Sequence, residues 1–283
     1  MARYVQACGR FLGFLLNCGA FPQTTGGLDL CLQSYIDELW MSGDSKRWAA
    51  DALSALQLFL PYVRRRLQGS WRLIGAWGRC ELPVQATPLP ISFLWAIAGA
   101  SWHTNSSFVV ACLFGFHGLL RVSEVCSVLW TDLVFGQHRA VLTLRDSKSL
   151  ARRQRVDVEQ VIVTDGTLLA LLRKVASTRP AAASIAGLGV PAFRRLFLQL
   201  VREAQLPRLN WQTHSLRRGG ATAHFQQFGS LSRTALVGRW SNLNTARLYI
   251  QSARQALAEI HVTPRQAEWH RTLAQVCFSE ADR

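Results

Sequence analysis

Gly238-Arg239-Trp240-Ser241-Asn242-Leu243-Asn244-Thr245-Ala246-Arg247-Leu248-Tyr249-Ile250 holds one of the chain's four tyrosines, nine residues after a tryptophan. At about 3.6 residues per turn, that separation would put Trp240 and Tyr249 on opposite sides of one continuous helix. The polar run 241–245 breaks the helix and supplies a fresh N-cap at Asn244 or Thr245, so Tyr249 is expected on a new short helix. Taken alone, a Trp and a Tyr are ordinary core residues.

Upstream stands His214-Ser215-Leu216-Arg217, whose arginine precedes Tyr249 by 32 residues. With Thr213 as N-cap, His214 and Arg217 share one face of a first helical turn, an end that favours anions. A capped surface helix accounts for this pair equally well. Farther back, Arg121 closes Gly118-Leu119-Leu120 and Glu124 follows three residues later. An arginine emerging from an apolar helix needs a prepared partner, and the Glu124 carboxylate is placed to hold it. A purely structural ion pair is the alternative.

The formal charge is +15, from 32 basic and 17 acidic residues, and only Lys46, Lys148 and Lys174 are lysines. The excess is therefore arginine, whose planar fork matches phosphate oxygens, and a polyanionic partner is expected. Anionic membranes and ribosomal partners would also answer to charge alone. Apolar content of 49% is ample for a core. Seven scattered cysteines without a C-x-x-C pair argue against a zinc ribbon or a secreted disulfide framework and for reduced thiols in an intracellular protein. The longest apolar stretches fall short of the about 20 residues that span a bilayer. The start, with its apolar run 11–16, lacks a convincing cleavage region and reads as an amphipathic first helix.

Pro83, Pro88 and Pro90 make 81–92 unable to stay helical, so it is expected to link a helical unit over 1–80 to a larger unit over 93–283. In the first unit, helices are expected over 28–41 and 48–67. The second has Ser45 as N-cap and Leu53, Leu56, Leu60 and Val63 at helical spacing. After Tyr62, the run Arg64-Arg65-Arg66 is an exposed basic face. Beyond the linker, 106–129 reads as one apolar helix. Alternating runs at 140–144 and 155–158 then form a small antiparallel sheet, with Lys148 near its turn. Helices resume after Gly166, broken at 181–191 and at Pro207.

Together these residues resemble the tyrosine recombinase, or phage integrase-like, family, and its Cre-like members in particular. The segment Gly118 to Glu124 is similar to the family's first arginine box, and Thr131-Asp132 follows where that box leads into the sheet. His214-Ser215-Leu216-Arg217 is similar to the second box, and Lys148 falls where the family places its catalytic lysine. Gly238-Arg239-Trp240-Ser241 corresponds to a position that is histidine in many members and tryptophan in Cre-like ones. Thr245 to Ile250 resembles the nucleophile box.

The resemblance implies a mainly α chain with a small antiparallel β-sheet: a helical core-binding-like domain followed by an α+β catalytic domain. It implies catalysis by Arg121, Lys148, His214, Arg217, Trp240 and Tyr249, supported by Glu124, with no metal and no cofactor. The implied partner is double-stranded DNA, gripped in a C-shaped clamp and worked on by a homo-tetramer in an intracellular compartment. Residues 251–283, with Leu257, Ile260, Leu273 and Val276, would either dock onto a neighbouring subunit or pack within the same chain. Two alternatives remain beside strand exchange: a non-catalytic DNA-binding relic of a mobile element, and a type IB topoisomerase-like relaxing enzyme.

Overall fold

Residues 1–80, 85–145 and 159–283 are described by a computed structural model. The chain divides into two units, Met1–Val84 and Gln85–Arg283. Lys148 and the strand expected at 155–158 lie outside the described residues.

Four helices build the first unit: α1 (Ala2–Asn17), α2 (Thr25–Met41), α3 (Lys46–Phe59) and α4 (Gln68–Cys80). Ser45 caps α3, accepting from the Arg47 N–H. The core gathers Phe11, Leu32, Tyr35, Leu53 and Val63, with the Tyr35 ring 5.3 Å from both Phe11 and Phe14. The helix expected over 48–67 stops at Phe59, because Pro61 disfavours helical backbone at Leu60 and starts a separate 3-10 turn. Val63 is buried nonetheless, so the apolar spacing continues across the break.

The second unit is organised around α5 (Ile91–Ser101) and α6 (Ser106–His117). Phe93–Gly99 of α5 and Ser107–Phe116 of α6 are buried on every side, as suits central helices. Each fully buried Val, Leu or Phe there contributes about 1.5–3 kcal/mol. Around them lie α7 (Val122–Ser127), α8 (Gly166–Ala176), α9 (Val190–Glu203), α10 (His214–Phe228), α11 (Leu231–Val237), α12 (Leu243–Tyr249), α13 (Ser252–Ile260) and α14 (Pro264–Ala281). The sheet is antiparallel in the order β1 (Leu133–Phe135), β2 (Ala140–Leu144), β3 (Glu159–Val163), with Leu142 opposite both Leu133 and Val161. Ala140, Leu142 and Leu144 face the core. The break expected at 181–191 ends at Gly189, since Pro191 sits in the first turn of α9, where a missing N–H costs little.

Two helix ends shape the region that follows. The apolar run 106–129 is not one helix. It breaks after His117, where Leu119 takes a left-handed φ of 48° and the Leu120 N–H reaches back to the Gly115 carbonyl. Burial of nearly every residue from 107 to 120 hid that boundary. Helix α11 ends the same way: Arg239 has φ 55°, its N–H bonds the Leu236 carbonyl, and the Trp240 N–H bonds the Ala235 carbonyl. This reversal normally employs glycine, and a side chain there costs roughly 1–2 kcal/mol.

Helix α10 is brought against this region by Gly219 and Gly220. A Cβ on Gly219 would lie 2.0 Å from the Leu89 carbonyl oxygen, and one on Gly220 2.0 Å from that of Phe116. Both obstacles are backbone, so neither yields easily. Gly220→Ala is expected to destabilise the second unit by about 1–3 kcal/mol, measured as a lower midpoint in urea unfolding followed by circular dichroism.

Candidate active site

Glu124 is 2% exposed and is surrounded by arginines from three separate segments. Arg121, at the start of α7, donates its backbone N–H to Glu124 Oε2 (2.9 Å) and its Nη1 to Oε1 (2.5 Å). Arg239, just past α11, donates Nη2 to Oε2 (2.7 Å). Arg217, from α10, holds Nη1 3.8 Å from the same oxygen. Burial pushes the Glu124 carboxyl up, but Arg239, the Arg121 N–H, Arg217 and Arg121 outweigh it and hold it below its ordinary value.

Arg217 is 1% exposed. Its Nη2 donates to the Gly238 carbonyl at 2.7 Å, while Nε and Nη1 are buried with no hydrogen-bond partner among the described residues. Burial, then Arg121 and Arg239, push this guanidinium down to about 10, against Glu124 and Tyr249. It therefore stays charged at neutral pH, with two N–H-bearing nitrogens unanswered. Buried donors of this kind are costly unless something accepts from them.

Above Arg217 lie the aromatics. Its guanidinium carbon is 5.0 Å from the Trp240 ring centre and 5.6 Å from that of Tyr249, and the two rings are 4.5 Å apart. The 241–245 run does separate two helices, but the cap of α12 is Asn242, whose side chain accepts from the Asn244 N–H, rather than Asn244 or Thr245. An earlier cap is available because Asn242 already has extended backbone. Gly238 leaves room for the indole: a Cβ there would lie 2.2 Å from the Trp240 ring.

His214 opens α10, with its ring 5.3 Å from that of Tyr249. Thr213 holds the N-cap position without capping, because its backbone is already helical; Ser215 Oγ instead accepts from the Gln212 N–H. His214 keeps solvent access, yet partial burial of its ring, then Arg218, Arg217 and Arg121, lower it to about 4. A neutral imidazole beside a phenol can accept its proton.

Arg121, Glu124, His214, Arg217, Trp240 and Tyr249 thus converge, and Lys148 lies outside the described residues. Four more residues belong to the cluster and had no distinguishing sequence signal. Arg218 lies 5.5 Å over the Tyr249 ring. Thr222 Oγ1 donates to the Arg218 carbonyl at 2.9 Å, lies 3.3 Å from the Tyr249 carbonyl and accepts from the Gln251 N–H (3.2 Å), tying the end of α12 to α10. Arg239 and its second carboxylate, Glu159, complete the set, with Nε and Oε2 3.2 Å apart. No described group of His, Cys, Asp or Glu is placed to hold a metal ion.

The mostly helical second unit with its small antiparallel sheet has the fold of solved tyrosine recombinases. A lambda integrase dimer bound to a COC' core site superposes with a TM-score of 0.56 at 18% identity, covering 81% of this chain and 65% of that one. XerH site-specific recombinase bound to palindromic difH substrate, a post-cleavage complex, gives 0.55 at 14%, covering 82% and 68%. The Tn1549 transposon integrase in complex with a circular intermediate DNA gives 0.58 at 13%, covering 86% and 84%. The likeness is one of fold, and the chain spans 65% of that lambda integrase chain. No protein-family model matches the chain, and no curated protein does. No described helix is long and apolar enough to cross a membrane. All seven cysteines are free.

Glu124→Ala removes the carboxylate shared by three guanidinium groups and should cost about 3–5 kcal/mol in urea unfolding. In histidine NMR the His214 ring should titrate near 4. Because the unfolded ring keeps its ordinary 6.5, the folded state refuses a proton that the unfolded chain accepts, so stability declines as pH falls from about 6.5 toward 4. Arg218→Ala should raise the His214 midpoint.

Proposed function

We propose that the chain is a site-specific DNA recombinase that cleaves and rejoins strands through a 3′-phosphotyrosine on Tyr249. The observation that carries this reading is the position of the Tyr249 ring over Arg217, whose buried Nε and Nη1 have no hydrogen-bond partner among the described residues. A phosphodiester repels nucleophiles because its two non-bridging oxygens share a negative charge. Arg121 and Arg217 would neutralise those oxygens as charge builds in the transition state, and the Trp240 indole would add a neutral donor.

A phenol has an ordinary pKa of about 10, so the nucleophile needs to lose its proton as it attacks. In this reading the Tyr249 hydroxyl proton passes to His214, the Tyr249 oxygen bonds to phosphorus, and the bond from phosphorus to the 5′ oxygen breaks. The departing 5′ oxygen takes up a proton, the role that the family resemblance gives to Lys148. Attack by a second 5′ hydroxyl reverses these steps and reseals the strand, without a metal or nucleotide. Tryptophan in place of histidine at 240 leaves His214 as the proton acceptor, since an indole N–H donates but does not accept. The same reading makes double-stranded DNA the partner and a homo-tetramer the working assembly, in an intracellular compartment that contains DNA. DNA integration or the movement of a mobile element is its setting.

The test uses a randomised pool of duplexes nicked next to the expected cleavage position, with capture of protein–DNA adducts that survive denaturation. The unaltered chain should form an adduct and Tyr249→Phe none, while gel-shift binding stays within about threefold. An adduct on Tyr249→Phe would overturn the choice of nucleophile, and no adduct on the unaltered chain would leave a DNA-binding protein without the chemistry. Arg217→Ala should lose cleavage by about 10²–10³ and binding by far less; equal losses would reduce Arg217 to a phosphate anchor.

A further inference from the structure

Arg239 is out of place by every local rule. It occupies the left-handed position that ends α11, where glycine is favoured, and its long charged side chain is almost wholly buried. The strain is tolerated only where the surroundings fix the residue, and here they do so at three points. Nη2 reaches Glu124 Oε2 at 2.7 Å, Nε lies 3.2 Å from Glu159 Oε2, and Nη1 donates to the Gly118 carbonyl at 3.3 Å. Burial lowers this guanidinium and the two carboxylates oppose the shift. None of these contacts leaves Arg239 facing Tyr249.

Its effect falls on Glu124. Among the described residues, that carboxylate is the acidic group within ion-pair distance of both Arg217 and Arg121. Arg239 takes Glu124 Oε2 at 2.7 Å and leaves Arg217 Nη1 at 3.8 Å from the same oxygen, beyond hydrogen-bond range. Arg217 Nε and Nη1 consequently have no hydrogen-bond partner among the described residues. We infer that Arg239 is a positioning residue that occupies Glu124 and thereby keeps Arg217 free to bind a phosphate. Without it, Glu124 would close on Arg217 and neutralise the guanidinium meant for the anion. The inference deepens the strand-cleavage reading and rests on it for the identity of the anion, but not for the electrostatics.

Inorganic phosphate is the probe, titrated into the full chain and followed by the His214 ring resonances, which requires no DNA target. Arg239→Ala should weaken phosphate binding at least tenfold in the wild-type background. In a Glu124→Gln background, where no carboxylate competes for Arg217, the same change should weaken it less than threefold. Equal losses in both backgrounds, or no loss in the first, would overturn the inference. Arg239→Lys keeps a cation against Glu124 and carries the test if Arg239→Ala does not fold: affinity within threefold of wild type supports the inference, and a tenfold loss overturns it. Failure of the cleavage reading would show separately, as no Tyr249 adduct from the unaltered chain while the phosphate titration proceeds as described.

Discussion

One carboxylate, Glu124, determines where three arginines stand. It takes the start of α7 through the Arg121 N–H and side chain, the turn after α11 through Arg239, and faces α10 through Arg217. Those segments are far apart in the sequence, so the carboxylate works as a tertiary tie as well as an electrostatic one. An isolated buried charge is untenable, and Arg121, Arg217 and Arg239 against Glu124 and Glu159 still leave the cluster positive overall. That surplus suits a site which receives a negatively charged group and is costly in a site which receives nothing.

The tie would have no reach without close backbone packing. Gly219 and Gly220 let α10 rest directly on the carbonyls of Leu89 and Phe116, and the latter belongs to the helix whose end delivers Arg121. The two left-handed helix ends then act as a matched pair. One turns the chain after α6 toward Arg121, and the other turns it after α11 toward Trp240. Their contact is direct, since Arg239 donates to the Gly118 carbonyl. Core packing, backbone strain and site electrostatics therefore meet within a few residues, in keeping with the tendency of strained backbone to gather at functional sites.

Short-range chemistry was legible in the sequence, and long-range chemistry was not. Ser45 reads as a cap because a hydroxyl before a helix has a local partner, and 140–144 reads as a strand because one face alone is buried. The polar break before Tyr249 was visible for the same reason, though its cap lay two residues earlier than Asn244. Apolar runs misled wherever burial was complete. Residues 106–129 carry no polar mark at the Gly118-Leu119 turn, and Val63 keeps the helical spacing going past the proline that ended α3. In the site, Arg121, His214, Arg217 and Tyr249 stood out through motif order. Arg218, Thr222, Arg239 and Glu159 did not, because each gains its meaning from a partner that only the fold brings near.

Helix α12 has a different character from its neighbours. It is seven residues long and buries only Ala246, while Leu243 and Leu248 are largely exposed. Its far end is held by one threonine hydroxyl and by the packing of a single aromatic ring. A segment with so few buried contacts opens at a free energy well below that of global unfolding. Arg217 and Arg239, set in the core, are fixed by it, whereas Tyr249 rides on a short and weakly buried element. A surface that covers Leu243 and Leu248 would therefore raise or lower the population in which the Tyr249 ring rests over Arg217, without disturbing the core.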